Sequence, residues 1–479
     1  MDVLRLATLL EELPSERTRL LDNLGRIRRE VGPITPELSD ALADRMNLRR
    51  GDVHEVVSFY SFLQVPVDAV RVCTGPICDC AGSRELLTEA AVEVPCLGHC
   101  DLAPVVLHGD DVLGGVTHST NAFLLEPDEI RNPLALSQAD VVERLEVAGL
   151  TGMGGAGFPT WRKWDAVRRE PGPRVVIVNA DEGEPGTIKD RYVMELRPQL
   201  LLEGLAAAMR FCETDAAYIY LREEYATSRA VLQEAIAARG LPVELVIGAG
   251  AYICGEETAM LESMEGRRGM PRLRPPFPAQ SGYLGRPTLI NNVETLAHVA
   301  LILRGDWQPV RLWSVSGAVA KPGCYAAPLD LTVRRLIDEY AGGLTAELGA
   351  IVPGGAASGI LPPAAIDAPL TRDGLAEWGC SVGSAAVQVF PSGYSPVRLL
   401  AETMRFFAEE SCQKCTPCRI GNRALHAVFE GERTMSREQV DEWLEAMALT
   451  SICGLGQAAP IPVRSAFAHW PELFEKMTA

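Results

Sequence analysis

Hydrophobic positions recur at helical spacing through residues 1–65, and two helix starts are marked. Thr35-Pro36 offers a capping hydroxyl followed by proline at the first helical position. Asp52 with Glu55 predicts a capping box ahead of Val53, Val56, Val57 and Tyr60. After Pro66 the period changes. Residues 69–72 alternate like a strand and run into Cys73; residues 82–93 read as helix, 105–107 as strand and 109–111 as turn. A small α/β unit is therefore expected over 66–125, and residues 121–136 read as a linker. A second α/β region follows, with strands at 175–178, 218–220 and 243–247. Residues 307–395, rich in Gly, Ala, Val and Pro with short β-like runs, predict a small α+β domain. From Pro396 the chain is helical, with Leu399, Leu400, Met404 and Phe407 on one face. No tandem repeat or low-complexity tract interrupts this order.

A chain of 479 residues exceeds what one hydrophobic core supports, so several domains are expected. With 47% hydrophobic and 23% charged residues, the composition excludes general disorder. A net charge of −18 excludes general nucleic-acid binding, which needs basic surface against phosphates. The N-terminus lacks a secretory pattern and no apolar stretch is long enough to span a bilayer. A cytoplasmic location without direct membrane insertion is the expectation.

Thirteen cysteines change the picture. In a reducing compartment clustered cysteines are metal ligands or redox groups rather than disulfides. Cys212, Cys254, Cys324 and Cys380 are scattered and read as small apolar residues. Cys412, Cys415 and Cys418 form C-x2-C-x2-C, with Cys453 following at a distance. Three close thiolates and one remote thiolate suit the corners of a [4Fe–4S] cube; zinc, the alternative, usually pairs ligands two and two. Cys73 and Cys78 form C-x4-C, and Cys96 and Cys100 form C-x3-C. Two pairs suit a [2Fe–2S] rhomb, one pair per iron, with zinc again the alternative. Cys80 is a spare, and His99 is expected near the metal or at the surface.

Gly152, Gly154 and Gly157 spell a formal G-x-G-x-x-G, but the preceding segment, 139–148, is an amphipathic helix pattern rather than a strand. The dinucleotide fingerprint therefore fails in its context. What remains is a run of bare backbone amides before a helix start, suited to a phosphate. Two acidic segments follow: 178–187, containing Asp181, Glu182 and Glu184, and 248–258, containing Tyr252, Glu256 and Glu257. Arg267, Arg268, Arg272 and Arg274 lead into Pro275-Pro276-Phe277-Pro278, a pattern that suits a pyrophosphate with a stacked base.

Together these motifs resemble the NADH-binding flavoprotein subunit of respiratory complex I from about residue 140 to the C-terminus. Residues 30–125 resemble the small thioredoxin-like [2Fe–2S] subunit of the same module. The fusion is similar to the diaphorase subunits of NAD-dependent formate dehydrogenases and NAD-reducing hydrogenases. The wording of residues 401–419 leans toward the formate dehydrogenase beta subunit. The resemblance implies FMN, NAD, [4Fe–4S] and [2Fe–2S] as cofactors. It implies a multidomain α/β fold: N-terminal helices at 1–65, a thioredoxin-like [2Fe–2S] domain at 66–130 and an FMN- and NAD-binding domain, not a standard Rossmann fold, at 131–306. A β-grasp-like (SLBB) domain at 307–395 and a helical [4Fe–4S] domain at 396–479 complete it.

By the same resemblance, Gly152, Gly154 and Gly155 would take the FMN phosphate with Lys163 nearby. Asn179, Asp181, Tyr252, Asn291, Asn292 and Thr295 would contact the rest of the flavin. Glu184 would place the nicotinamide and is the residue assigned to the reaction itself. Phe158 and Phe277 would hold the adenine and Glu257 its ribose, with Gly255 and Glu256 completing the set. Cys412, Cys415, Cys418 and Cys453 would hold the [4Fe–4S] cluster and Cys73, Cys78, Cys96 and Cys100 the [2Fe–2S] cluster. The implied partner is a catalytic alpha subunit, a molybdenum- or tungsten-pterin formate dehydrogenase, with further iron–sulfur subunits. A hydrogenase or complex I host is the alternative, and a zinc-stapled assembly scaffold is the non-enzymatic one. Four departures stand out: a short loop between Cys78 and Cys96, Met153 for a common Arg, Ala166 for a common Phe, and Gln413 for a frequent Gly, the last expected to matter little.

Overall fold

A computed structural model of the chain describes residues 3–115 and 126–475. The end of the unit expected over 66–125, and the start of the expected linker, lie outside the described residues.

Helices Val3–Glu12, Leu20–Glu30, Pro36–Met46 and Arg50–Phe59 open the chain. Thr35 caps the third as expected, its hydroxyl accepting Leu38 N–H at 3.3 Å with Pro36 at the first position. The capping box at Asp52 is not formed. Arg49 is the N-cap, and Asp52 lies inside the first turn, paired with Arg17 at 3.0 Å.

The first sheet contains β1 (Val70–Cys73), β2 (Val92–Val94), β3 (Val106–His108) and β4 (Asp111–Leu113), in the order β2-β1-β3-β4. The helix expected over 82–93 is replaced by one 3-10 turn, Ser83–Leu86, and a second turn closed by Ala91 N–H on the Thr88 carbonyl at 3.0 Å, which leads into β2. Gly82 enters that turn in a left-handed conformation, and Val92 and Val94 find ladder partners on β1. Tertiary pairing thus overrides a short local pattern. Because β1 and β2 are parallel, with Cys73 opposite Val94, both cysteine pairs leave the sheet at one end.

The second sheet contains β5 (Val175–Ala180), β6 (Ala217–Leu221), β7 (Val243–Ile247) and β8 (Thr288–Asn292). All pairings are parallel, in the order β7-β6-β5-β8. The unbroken apolar run in β5 follows from cover on both faces, including the deeply buried helices Pro198–Cys212 and Val293–Arg304. From β5 the chain steps to β6 and β7 on one side, and only later to β8 on the other. The edge between β5 and β8 is therefore the topological switch point, where open parallel sheets bind ligands at their carboxyl ends.

The third sheet contains β9 (Val310–Gly317), β10 (Gly323–Pro328), β11 (Leu348–Val352) and β12 (Ala386–Pro391), in the order β10-β9-β12-β11. Central β9 and β12 are parallel and the outer pairs antiparallel, the mixed arrangement of a β-grasp-like domain, around its own core of Trp313, Leu331, Leu336 and Val387. Helices Pro396–Glu409, Thr416–Phe429, Arg437–Thr450 and Pro460–His469 close the chain, with Leu399, Leu400, Met404 and Phe407 buried as the pattern requires. Among the described residues no helix is long and apolar enough to cross a membrane.

Candidate redox site

The switch-point edge gathers most of the flavin candidates. Asn179 and Asn292 are register partners at the carboxyl ends of β5 and β8. Asn179 donates to the Gly255 carbonyl at 2.8 Å, and Asn291 accepts the Trp164 indole N–H at 3.0 Å. Asn292 caps the helix starting at Val293 by accepting Thr295 N–H, and its amide donates to Asp190. Thr295 in turn accepts Met153 N–H at 2.9 Å, which draws the glycine loop onto this edge.

The glycine loop closes on itself: Gly152 N–H donates to the Phe158 carbonyl at 2.8 Å, and Thr151 bridges Pro159. Gly154, Gly155 and Gly157 are left exposed. Gly155 (φ +113°) and Gly157 (φ +63°) need the left-handed half of conformational space, and a Cβ at Gly154 would press on Asn292 at 3.4 Å. Exposed amides over the switch-point edge make a cradle that fits a phosphate. Lys163, expected near that phosphate, donates to Glu257 at 3.0 Å and to the Ile290 carbonyl at 3.1 Å. Phe158 and Phe277 are half exposed, at 50% and 51%, as an adenine clamp requires.

Of the four arginines before Phe277, only Arg274 faces the site carboxylates, 3.8 Å from Glu256 and 3.6 Å from Glu257. Arg267 and Arg272 are engaged by Glu262 and Glu265, and Arg268 donates to the Cys412 carbonyl at 2.8 Å. Glu256 also caps the helix Glu257–Met264, accepting Thr258 and Ala259 N–H at 3.0 and 2.9 Å.

Glu184 accepts the Tyr252 hydroxyl and Ala357 N–H at 2.9 Å. Burial raises its carboxyl, partly offset by Tyr252 and Ala357. Asp181 shows part of its surface, yet its Oδ2 is enclosed without a hydrogen-bond partner among the described residues. Burial pushes this carboxyl up to about 8. An orphaned acid beside bare amides fits a ligand with hydrogen-bonding edges, as a flavin has.

Beneath the site lies a charge cluster that the sequence reading missed. Lys189, 1% exposed, stands 2.8 Å from Asp190, 3.2 Å from Glu294 and 4.0 Å from Glu182. Glu182 accepts Asp190 and Arg191 N–H at 2.8 and 3.1 Å, fixing the helix after the acidic loop. Burial works against a charged Lys189, but Asp190 and Glu294 outweigh it and raise the ammonium. The only trace in the sequence is the charged run Lys189-Asp190-Arg191 behind an acidic loop.

All four N-terminal ligand candidates are buried. The Cys73 thiol lies beside those of Cys78 and Cys96, and the Cys96 thiol beside that of Cys100. Two adjacent pairs brought side by side fit two irons sharing a rhomb. Backbone donors point at the sulfurs, Gly98 N–H to Cys96 Sγ at 3.4 Å and Gly186 N–H to Cys100 Sγ at 3.3 Å. His99 is buried, not at the surface, and packs edge-on against Tyr225. Cys412, Cys415, Cys418 and Cys453 line one small cleft with Ile253, Pro271 and Leu455. Three neighbouring thiols and one from a distant segment around one cleft fit the four corners of a cube. Cys212, Cys254, Cys324 and Cys380 are buried apart from both sets, as expected of small apolar residues.

Comparison with known proteins agrees with this geometry. Residues 145–301 match the Nuo51 FMN-binding domain, and 398–477 match the NADH-ubiquinone oxidoreductase-F iron-sulfur binding region. Residues 6–94 match the thioredoxin-like [2Fe-2S] ferredoxin, so that match takes in the N-terminal helices and stops before Cys96. An NADH-quinone oxidoreductase F-type subunit of Rhizobium meliloti (strain 1021) is 39% identical over 402 residues, covering 77% of this chain and 96% of the relative. Its counterpart in Mycobacterium tuberculosis (strain H37Rv) is 40% identical over 379 residues, 71% and 85% of the two chains. The solved NAD+-reducing [NiFe]-hydrogenase in the H2-reduced state contains a chain 30% identical, with a TM-score of 0.86 over 97% of this chain and 93% of that one. The chain thus belongs to the F-type family of NADH-quinone oxidoreductase subunits, the NADH-binding flavoproteins, with a thioredoxin-like [2Fe–2S] domain and a [4Fe–4S] region in the same polypeptide.

Proposed function

We propose that this chain is the NAD(H)-linked diaphorase subunit of a larger enzyme, exchanging electrons between NAD(H), FMN and its two iron–sulfur clusters. FMN accepts hydride and releases single electrons, which reconciles a two-electron donor with one-electron clusters. The residues named above serve this by binding and orientation. The glycine loop takes the phosphate, Asn179, Asn291, Asn292 and Thr295 hold the flavin edge, and Asp181 meets its polar rim. Glu184, steadied by Tyr252 and Ala357, places the nicotinamide, while Phe158 and Phe277 clamp the adenine and Glu257 the ribose. No side-chain acid or base is required for hydride transfer itself.

One observation carries the reading: the flavin site touches both cysteine sets. Gly186, in the acidic loop, donates to Cys100 Sγ at 3.3 Å. Tyr252 donates its N–H to Glu410, two residues before Cys412, at 2.8 Å. Anaerobic preparation followed by mixing with NADH tests it. Bleaching of flavin and cluster absorbance, with about six irons and one flavin per chain, is the expected result. A colourless, iron-free protein would overturn it in favour of a zinc scaffold.

The partner we propose is a molybdenum- or tungsten-pterin formate dehydrogenase catalytic subunit, on the wording of residues 401–419. A hydrogenase host is the second reading, favoured by the end-to-end likeness to the NAD+-reducing [NiFe]-hydrogenase chain. Purification of the native assembly decides between them. Formate-dependent NAD+ reduction with molybdenum or tungsten supports the first, and H2-dependent reduction with nickel supports the second.

A further inference from the structure

Where the flavin site, the [2Fe–2S] ligands and the [4Fe–4S] helices meet, a narrow cleft is lined by Cys96, Asp181, Arg222, Glu224, Tyr252 and Glu410, among others. Arg222 is the cation in this wall of carboxylates. It follows β6 directly and is 6% exposed. Its Nη1 donates to the Glu182 carbonyl at 2.5 Å, and its Nη2 donates to the Cys96 carbonyl at 3.1 Å and to the Glu224 carboxylate. The guanidinium also lies 5.2 Å over the Tyr225 ring. It is seated against the ligand loop itself, for a Cβ on Gly98, midway between Cys96 and Cys100, would stand 2.7 Å from Nη1. Glu224, 5% exposed, keeps Oε2 enclosed and without a hydrogen-bond partner among the described residues.

We propose that Arg222 is the positioning and electrostatic tuning residue of the [2Fe–2S] centre, raising its reduction potential so that it draws an electron from the flavin. The proposal rests on Cys73, Cys78, Cys96 and Cys100 as the ligands. One-electron reduction adds a negative charge to a set of four thiolates. Net local charge, hydrogen bonds to sulfur and solvent exclusion set the potential of such a centre. A guanidinium cannot shed its proton, and in a dry wall its field is weakly screened, so it favours the reduced state. Glu224 works against it, and the pair leaves a net bias because the guanidinium donates directly to the Cys96 carbonyl while the Glu224 carboxylate is taken up by Arg222.

The test is a redox titration of the anaerobic full chain followed by electron paramagnetic resonance, comparing wild type, Arg222→Gln, Arg222→Lys and Glu224→Gln. Arg222→Gln is expected to lower the equilibrium constant for one-electron reduction of the [2Fe–2S] centre about tenfold, about 59 mV. Glu224→Gln is expected to move it the opposite way, and Arg222→Lys to keep most of the wild-type value. The [4Fe–4S] signal should not shift. Both neutral variants shifting in one direction, or neither shifting beyond about twofold with the iron count intact, would overturn the proposal. If Arg222→Gln fails to assemble, Glu224→Gln decides alone: an upward shift supports the proposal, and no shift overturns it. A wild-type chain with only about four irons and no [2Fe–2S] resonance would instead sink the ligand reading beneath it.

Discussion

The phenol of Tyr252 donates its hydrogen bond to the carboxylate of Glu184, joining the two acidic segments that the sequence places 68 residues apart. Tyr252 is held from behind by Glu410 and packs edge-on against Phe406 at 4.9 Å. Its hydroxyl is the strongest influence keeping Glu184 ionised against burial.

Tyr252→Phe removes that donor while keeping the ring. The Glu184 carboxyl then rises further, so the acid limb of NADH:ferricyanide activity should move to higher pH. The loss of kcat/KM at neutral pH should be about tenfold, which is about 1.4 kcal/mol of transition-state stabilisation. A pH profile identical to wild type would show that the hydroxyl does not govern Glu184.

The Lys189 cluster is a folding element under the flavin edge. Lys189→Met leaves Asp190, Glu182 and Glu294 without their shared cation. Removing one partner of a buried charge set costs about 3–5 kcal/mol. Because Asp190 also holds Asn292 and Glu294 N–H, flavin retention should fall with stability. Denaturant unfolding and flavin release measured on one sample check the pair of effects.

Asp181 and Glu182 give stability a pH slope. Burial lifts both carboxyls, Asp181 to about 8, far above the range they occupy in an unfolded chain. Between pH about 4.5 and about 8 the folded state therefore binds protons that the unfolded chain has released, and stability falls as pH rises, by up to about 1.4 kcal/mol per unit for each group. Glu294 acts oppositely: burial is outweighed by Lys189 and His298, its carboxyl sits at about 2, and its contribution is lost only on strong acidification. Thermal midpoints should decline from pH about 5.5 to about 8, and Asp181→Asn should flatten that decline.

The spacing of the cysteine sets and three strands of the second sheet were legible in the sequence because each rests on local evidence, whereas β8 (Thr288–Asn292), which completes the ligand-binding edge, was not foreseen. Thiolate spacing reflects the metal group directly, and doubly covered strands are apolar runs. Residues 82–93 misled because their helical pattern is short and β1 offers a better partner through Val92 and Val94. Arg222 and Ala357 were illegible for another reason. They act on Cys96 and Glu184 from the end of β6 and from the segment after β11, across separations that no local period encodes. The same blindness hid what Gln413 costs, since its backbone angle is visible only in the fold.

Gln413 lies between two ligand candidates in the left-handed region, at φ +62°. A side chain there costs about 1–2 kcal/mol, which glycine avoids. Gln413→Gly should therefore stabilise the Cys412–Cys415 turn by about 1 kcal/mol, seen as slower loss of [4Fe–4S] absorbance in denaturant, with the Gln413 N–H to Ser411 Oγ bond retained.

Phe158 and Phe277, the rings proposed to clamp the adenine, are both half exposed, and Ala166 is the position proposed to lack a further ring. Half-exposed rings of this kind contribute binding through stacking, about 0.5–1.5 kcal/mol beyond area. On the proposed reading they hold the adenine, remote from the hydride, and so would bind ground and transition states alike. Phe277→Ala should raise KM for NADH about three- to tenfold and leave kcat unchanged. Ala166→Phe should lower KM if the missing ring is what loosens the clamp. A fall in kcat for Phe277→Ala would mean that the ring also orders the Arg274–Glu257 contact beside it in the proposed ribose site.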